Sequence, residues 1–143
     1  MILQMRNFIY IFVVFIACFF SCDKAFENGD LDGMWRLENV EKEGDTYPLD
    51  GVYYSFQRHL VLLGKYNEQG APELYMAEFE HSGGEIVMTG FYLYPGVDGV
   101  CNKEDLKKYC IYNDPERCVV DVLNDDVLVM HTNDGRIYSF RKW

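Results

Sequence analysis

Between Met34 and Arg141 the chain is a succession of short alternating runs broken by tight turns, and this rhythm limits the fold more than any other feature. Residues alternating every second position suit a strand with one face buried. Met34–Val40 places Trp35, Leu37 and Asn39 on one face, with Met34, Arg36, Glu38 and Val40 largely on the other. Val52–Gln57 sets Tyr54 and Phe56 to one side, and Leu60–Leu63 continues as a more uniformly apolar strand. Glu73–Glu80 alternates Tyr75, Ala77 and Phe79 against Glu78 and Glu80. Ile86–Tyr94, Cys118–Leu123, Val127–His131 and Arg136–Arg141 complete about eight strands.

The connections carry the chemistry of turns. Gly44-Asp45, Pro48-Leu49-Asp50-Gly51, Asn113-Asp114-Pro115, Asn124-Asp125-Asp126 and Asn133-Asp134-Gly135 all fall between runs, and Asn67–Pro72 is a loop. Ser82-Gly83-Gly84 suits a hairpin, because paired glycines accept positive φ. Pro95–Gly99 breaks the strand pattern and opens an excursion to Pro115. Within it, Asn102–Tyr109 predicts the one helix, with Asn102 as cap, acids in the first turn and lysines in the last. Short strands at regular spacing point to an all-β sandwich or closed barrel. Closure is favoured because it leaves no exposed sheet edge.

The N-terminus has the parts of an export leader. Arg6 is the only charge before Cys22, and Phe8–Phe20 is an apolar run. That run is shorter than the roughly 20 residues a spanning helix needs, and it matches the core of a secretory signal. Ser21 precedes Cys22, a small residue followed by a thiol nucleophile. This resembles the bacterial lipobox, with Phe19 where leucine is usual, and implies that Cys22 is acylated and becomes the mature N-terminus. Residues 1–21 are then the signal peptide, 22–31 a lipidated acidic tether and 32–143 one domain. Cys18 leaves with the leader.

Charge and cysteines narrow the classes further. The net charge is −10, with 23 acids against 13 Lys and Arg, which disfavours nucleic acid. No cofactor motif is present: there is no phosphate loop, dinucleotide fingerprint or C-x-x-C. Cys101, Cys110 and Cys118 remain beyond the anchor, and an exported compartment permits a disulfide. If the helix separates Cys101 from Cys110 by about 13 Å, they lie beyond the roughly 7 Å Cα limit. That leaves Cys118 as the partner of either Cys101 or Cys110. No metal site is expected. Asn28–Gly33 imitates the start of a calcium loop, but Asn39 stands where the bidentate acid belongs. His59, His81 and His131 are isolated, and Glu78 with Glu80 shares one outward face.

Gly33-Met34-Trp35 on the first strand resembles the G-x-W signature of lipocalins. The late Arg141 resembles the arginine that packs across that tryptophan at the closed end of the barrel. The closing runs Cys118–Leu123, Val127–Met130 and Tyr138–Lys142 look like those of the lipocalin-like lipoproteins of Bacteroidetes. The acids after Cys22 resemble the surface-export signal of that group. The resemblance implies an up-and-down antiparallel barrel lipid-anchored at the outer membrane, on its periplasmic face or the cell surface, with Trp35 and Arg141 as its latch.

Such a barrel holds a small apolar or amphipathic ligand or fills its own interior. Tyr54, Phe56, Tyr75, Phe79, Tyr92, Tyr138 and Phe140 are the candidate lining; Phe91 and Tyr92 face opposite ways, so only one of them turns inward. The Pro95–Pro115 excursion is the expected lid. The alternative is a filled barrel acting as a protein-interaction or structural module. No residues form a nucleophile and base set, so catalysis is not expected. Replacing Cys22 with Ser is expected to abolish acylation and release the protein from membranes. Mass spectrometry of the mature N-terminus checks this, and an unmodified Cys22 in the native protein contradicts it.

Overall fold

Strand β1 (Gly33–Lys42) has both edges occupied, and this closes the sheet. The computed structural model describes residues 27–66, 74–94 and 101–143. The leader, Cys22, the tether before Glu27, the Asn67–Pro72 loop and the Pro95–Gly99 break lie outside the described residues. The strands continue as β2 (Asp45–Pro48), β3 (Val52–Gln57), β4 (Leu60–Lys65), β5 (Leu74–Ser82), β6 (Glu85–Tyr94), β7 (Glu116–Leu123), β8 (Val127–His131) and β9 (Arg136–Lys142). Every pairing is antiparallel between chain neighbours, except that β1 also pairs with β3 and with β9. The result is an up-and-down barrel.

Among the described residues there are nine strands where the alternation suggested about eight. The extra one is β2, whose residues are all exposed, so no hydrophobic alternation announced it. It pairs with the far half of β1 (Asn39–Lys42), beside the near half (Gly33–Arg36) that pairs with β3. A bulge between Leu37 and Asn39 changes the phase of β1. Val40 is therefore buried with Trp35 and Leu37, and Asn39 is not, contrary to strict alternation.

A second bulge corrects the reading of β6. Met76 pairs with Tyr92 but Glu78 pairs with Thr89, so one residue of β5 faces two of β6. Gly90, at φ +73°, supplies the left-handed turn of this bulge. Its amide and that of Phe91 donate to Asp114 Oδ1 and Oδ2 at 3.0 and 3.3 Å. This occurs just past the short β6–β7 ladder of Glu85–Met88. The slip turns Phe91 into the barrel and Tyr92 out, where the Tyr92 hydroxyl meets Met76 Sδ at 2.8 Å. Tyr92 is thus not on the interior wall.

The closed end also differs from the expected latch. A 3-10 turn (Gly29–Leu31) folds across it. Trp35 is fully buried and its Nε1 donates to the Leu31 carbonyl at 2.8 Å. The cation over its ring is Lys142, with Nζ 4.8 Å from the centroid and bonded to the Asp30 carbonyl at 2.8 Å. Arg141 points outward, 4.0 Å from Glu38. The reason is phase: Arg136, Tyr138 and Phe140 face inward on β9, so Lys142 does too, whereas Arg141 cannot. The Asn28–Gly33 segment is spent on this closure. Asp32 accepts from the Asn28 amide and side chain at 3.1 and 2.7 Å.

On the outer wall, Tyr53 of β3 is buried although it faces away from the core. Its ring lies over Gly64 of β4, where a Cβ would stand 2.2 Å from Tyr53 Cζ. Tyr66 and Trp143 cover it at centroid distances of 4.9 and 6.4 Å. Gly64→Ala is expected to lift this ring and cost about 1–3 kcal/mol through overpacking. Adding Tyr53→Ala removes the clash, so urea unfolding of the double variant should show a total smaller than the sum of the two single losses.

Candidate functional site

The barrel interior comes first, because the candidate ligand wall lies there. Tyr54 and Phe56 on β3, Tyr75 and Phe79 on β5, and Tyr138 and Phe140 on β9 all face inward and are buried. They meet one another. Tyr54 and Phe140 are 5.0 Å apart between centroids, Phe56 and Phe79 5.0 Å, and Tyr138 and Phe140 6.4 Å. The first two pairs meet edge to face and the third is stacked, both favourable aromatic arrangements. These six rings fill the centre as core.

The other end is stoppered. Helix α1 (Lys103–Leu106) is followed by a 3-10 turn (Lys107–Tyr109). The helix is shorter than predicted, but its cap is the expected one: Asn102 Oδ1 accepts from the Glu104 amide at 3.1 Å. Leu106, Tyr109, Cys110 and Ile111 are buried, so this part of the excursion belongs to the core. It forms a plug, not the lid the sequence suggested.

Three interior tyrosines hold the plug from below. Tyr54 donates to the Tyr109 carbonyl. Tyr138 donates to the Cys110 carbonyl at 2.6 Å, and Tyr75 to Asp105 Oδ2 at 3.2 Å. Burial pushes the Tyr54 and Tyr138 phenols well up, so both remain protonated donors.

Arg136 ties the plug to the wall. It is buried, as is Glu116, and its Nη2 lies 2.7 Å from Glu116 Oε1. Its Nε reaches both Asp134 oxygens at 2.9 Å, and its Nη1 donates to the Cys110 carbonyl at 3.0 Å and to the Tyr138 hydroxyl. Glu116 Oε2 accepts from the Asn113 amide at 2.9 Å. Burial alone pulls the guanidinium down, but the Asp134 bonds together with Tyr138 and Glu116 raise it above its ordinary value. Asp134 is likewise opposed by burial and still held below the usual carboxylate range by Arg136 and Thr132. The sequence reading singled out neither Arg136 nor Glu116. The available signal was phase: each is a charge two residues from an inward Tyr138 or Cys118 on the same strand.

The three cysteines are free thiols, so the expected pairing of Cys118 with Cys101 or Cys110 is not formed. Cys118 faces the core from β7, while Cys110 is fixed in a left-handed cap by its own carbonyl's partners. Burial pushes the Cys110 thiol up to about 11 and that of Cys118 to about 12, which leaves both unreactive at neutral pH.

Open space lies beside the plug. One cavity of about 480 Å³ has Leu106, Ile111, Tyr112 and Pro115 in its wall, with Lys103 and Asp114 at its border. A second, of about 370 Å³, lies between the plug and the β1–β2 hairpin. On the outer wall, Glu78, Glu80 and Arg117 border a hollow of about 410 Å³; Arg117 is paired to Glu85 at 2.9 Å. His131 is paired with Asp121 at 2.7 Å on the surface. Among the described residues no group of His, Cys, Asp or Glu is placed to hold a metal.

A closed antiparallel barrel, sealed at one end by an N-terminal 3-10 turn under a buried tryptophan, defines a lipocalin-type architecture. The chain matches the family described as lipocalin-like domain over residues 17–143, and it belongs to that family. Its fold is similar to a lipocalin-like protein from Bacteroides uniformis ATCC 8492, at 23% identity and a TM-score of 0.66. That match covers 80% of this chain and 100% of the other. An uncharacterized protein from Bacteroides eggerthii DSM 20697 is similar at 23% identity and a TM-score of 0.64, covering 79% and 99%. No curated protein matches the chain.

Arg136→Met leaves Glu116 buried without its counter-charge and is expected to cost about 3–5 kcal/mol. Adding Glu116→Leu should recover most of that loss in chemical denaturation. A double variant as unstable as Arg136→Met alone contradicts the assignment.

Proposed function

We propose that this is a lipid-anchored, exported lipocalin-like protein that binds a small apolar or amphipathic molecule without catalysis. Its ligand lies at the mouth beside the plug, not in the filled centre. The observation that carries the reading is the pair of cavities at that mouth. Their volumes, about 480 and 370 Å³, fall in the range of roughly 300–1,000 Å³ usual for small-molecule sites. Membership of the lipocalin-like family supports a binding barrel. The Ser21-Cys22 motif supports anchoring through an acylated cysteine. The Bacteroides origin of the structural neighbours supports reading the acids after Cys22 as a surface-export signal at the outer membrane.

A second reading, a protein-interaction module, is favoured by one observation on the outer wall. Tyr66 and Trp143 are 49% and 66% exposed and lie 5.5 Å apart over Tyr53, forming an aromatic patch at the surface. Aromatic anchors of this kind are common at protein interfaces.

Native mass spectrometry of residues 23–143, purified gently from the host, separates the two. A co-purifying small-molecule mass lost on activation is the expected result. A bare protein that also binds nothing across a panel of lipids and amphiphiles shifts the assignment to the interaction module. Trp143→Ala should then release its partner.

A further inference from the structure

The smaller cavity beside the plug combines an apolar floor, aromatic walls and a cationic rim. Its floor is apolar: Val40 from β1, Leu49 after β2, and Cys110 at the end of the plug. Two half-exposed rings form its walls, Tyr47 at 54% and Tyr112 at 52%. The Tyr112 ring is held in place by the buried Arg136 guanidinium, with Cζ 4.6 Å from its centroid. Lys42, Lys107 and Arg136 are its charged lining residues, and no acid lines it. In a chain with 23 acids and 13 Lys and Arg, that bias runs against composition. The larger cavity has no such bias, with Lys103 opposite Asp114.

The cations differ in what they have left to offer. Arg136 is spent on Glu116 and Asp134, and Lys107 lies 2.9 Å from Glu104. Lys42 makes no ion pair among the described residues. Lys65 adds positive potential at the plug, where its charge acts on the Cys110 thiol. An apolar cleft walled by tyrosines, with an unspent lysine at its rim, matches a molecule with an apolar body and a negative head.

We propose that the cleft between the β1–β2 hairpin and the plug is the ligand site, and that it takes an amphipathic anion whose carboxylate or sulfate head meets Lys42. This rests on the ligand-binding reading above and narrows it to one cavity and one charge class. The apolar body lies between Tyr47 and Tyr112 over Leu49, and desolvation by these walls strengthens the pairing of the head with Lys42.

The test is calorimetric titration of residues 23–143 with decanoate, 2-naphthoate and decyltrimethylammonium, each below its micellar concentration. The two anions should bind and the cation should not. Lys42→Glu and Tyr47→Ala, both surface changes that leave the core intact, should each weaken the anions about tenfold or more. Lys103→Glu, at the larger cavity, should change them less than twofold. If the anions bind but neither Lys42→Glu nor Tyr47→Ala shifts them beyond twofold, this site is wrong and the ligand-binding reading stands. If the cation binds as tightly as the anions, the charge class is wrong. If neither anion binds while native mass spectrometry still shows a small-molecule mass, only the cleft assignment falls. If both experiments give bare protein, the ligand-binding reading falls with it.

Discussion

The buried guanidinium of Arg136 is the contact on which the mouth of this barrel depends. It joins three separate pieces of chain: its own strand β9 with Asp134 in the turn before it, Glu116 at the start of β7, and the Cys110 carbonyl at the end of the plug. Each partner uses a different face of the planar donor fork, which a lysine ammonium cannot imitate. The same group carries the Tyr112 ring on its surface and so shapes the cleft beside the plug. A charge this deep is tolerated because carboxylates and a carbonyl surround it, and removing Arg136 leaves Glu116 buried without its counter-charge.

One strand links that network to the opposite end of the molecule. The inward row of β9 reads Arg136, Tyr138, Phe140, Lys142. Its two aromatics sit in the core, and a cation stands at each end. Arg136 fixes the plug, and Lys142 lies over Trp35 and bonds to the 3-10 turn that seals the bottom. Both ends are therefore closed by the same strand with the same device, a long cationic side chain reaching a backbone carbonyl beyond the sheet. The rings between them occupy the space a ligand would need. For this reason the functional reading moves from the centre of the barrel to its rim.

Much of this was legible in the sequence, and the failures have a common physical origin. Tyr54, Phe56, Tyr75, Phe79, Tyr138 and Phe140 were assigned inward by alternation and are inward, because no bulge intervenes between each and its strand's inward neighbours. Tyr92 and Asn39 were misplaced because bulges at Gly90 and after Leu37 each shift the phase by one residue. A glycine within a strand was the visible cue for the first; no comparable cue marked the second. Arg141 was preferred to Lys142 on residue type, although strict period-two counting from Tyr138 already pointed to Lys142. The strand β2 is exposed on every residue and left no pattern to read. The network around Arg136 reaches Glu116 and Cys110, 20 and 26 residues away in sequence, and only the closed sheet brings them together.

The closed end and the mouth also set how the molecule sits if Cys22 carries lipid. The described chain begins at Glu27 beside the bottom seal, where Asn28 bonds to the Arg58 carbonyl and Asp30 receives Lys142. Four residues separate Cys22 from Glu27, and the five chain steps between them, at about 3.5 Å each, extend no more than roughly 18 Å. With Cys22 acylated as proposed, so short a tether would keep the sealed end toward the bilayer. The plug, with its two cavities, lies at the other end of the strands and would then open away from the membrane. A ligand bound there as proposed would arrive from the aqueous side and not by lateral transfer from lipid. Such a geometry would suit the capture of dispersed amphiphiles better than their extraction from the membrane beneath.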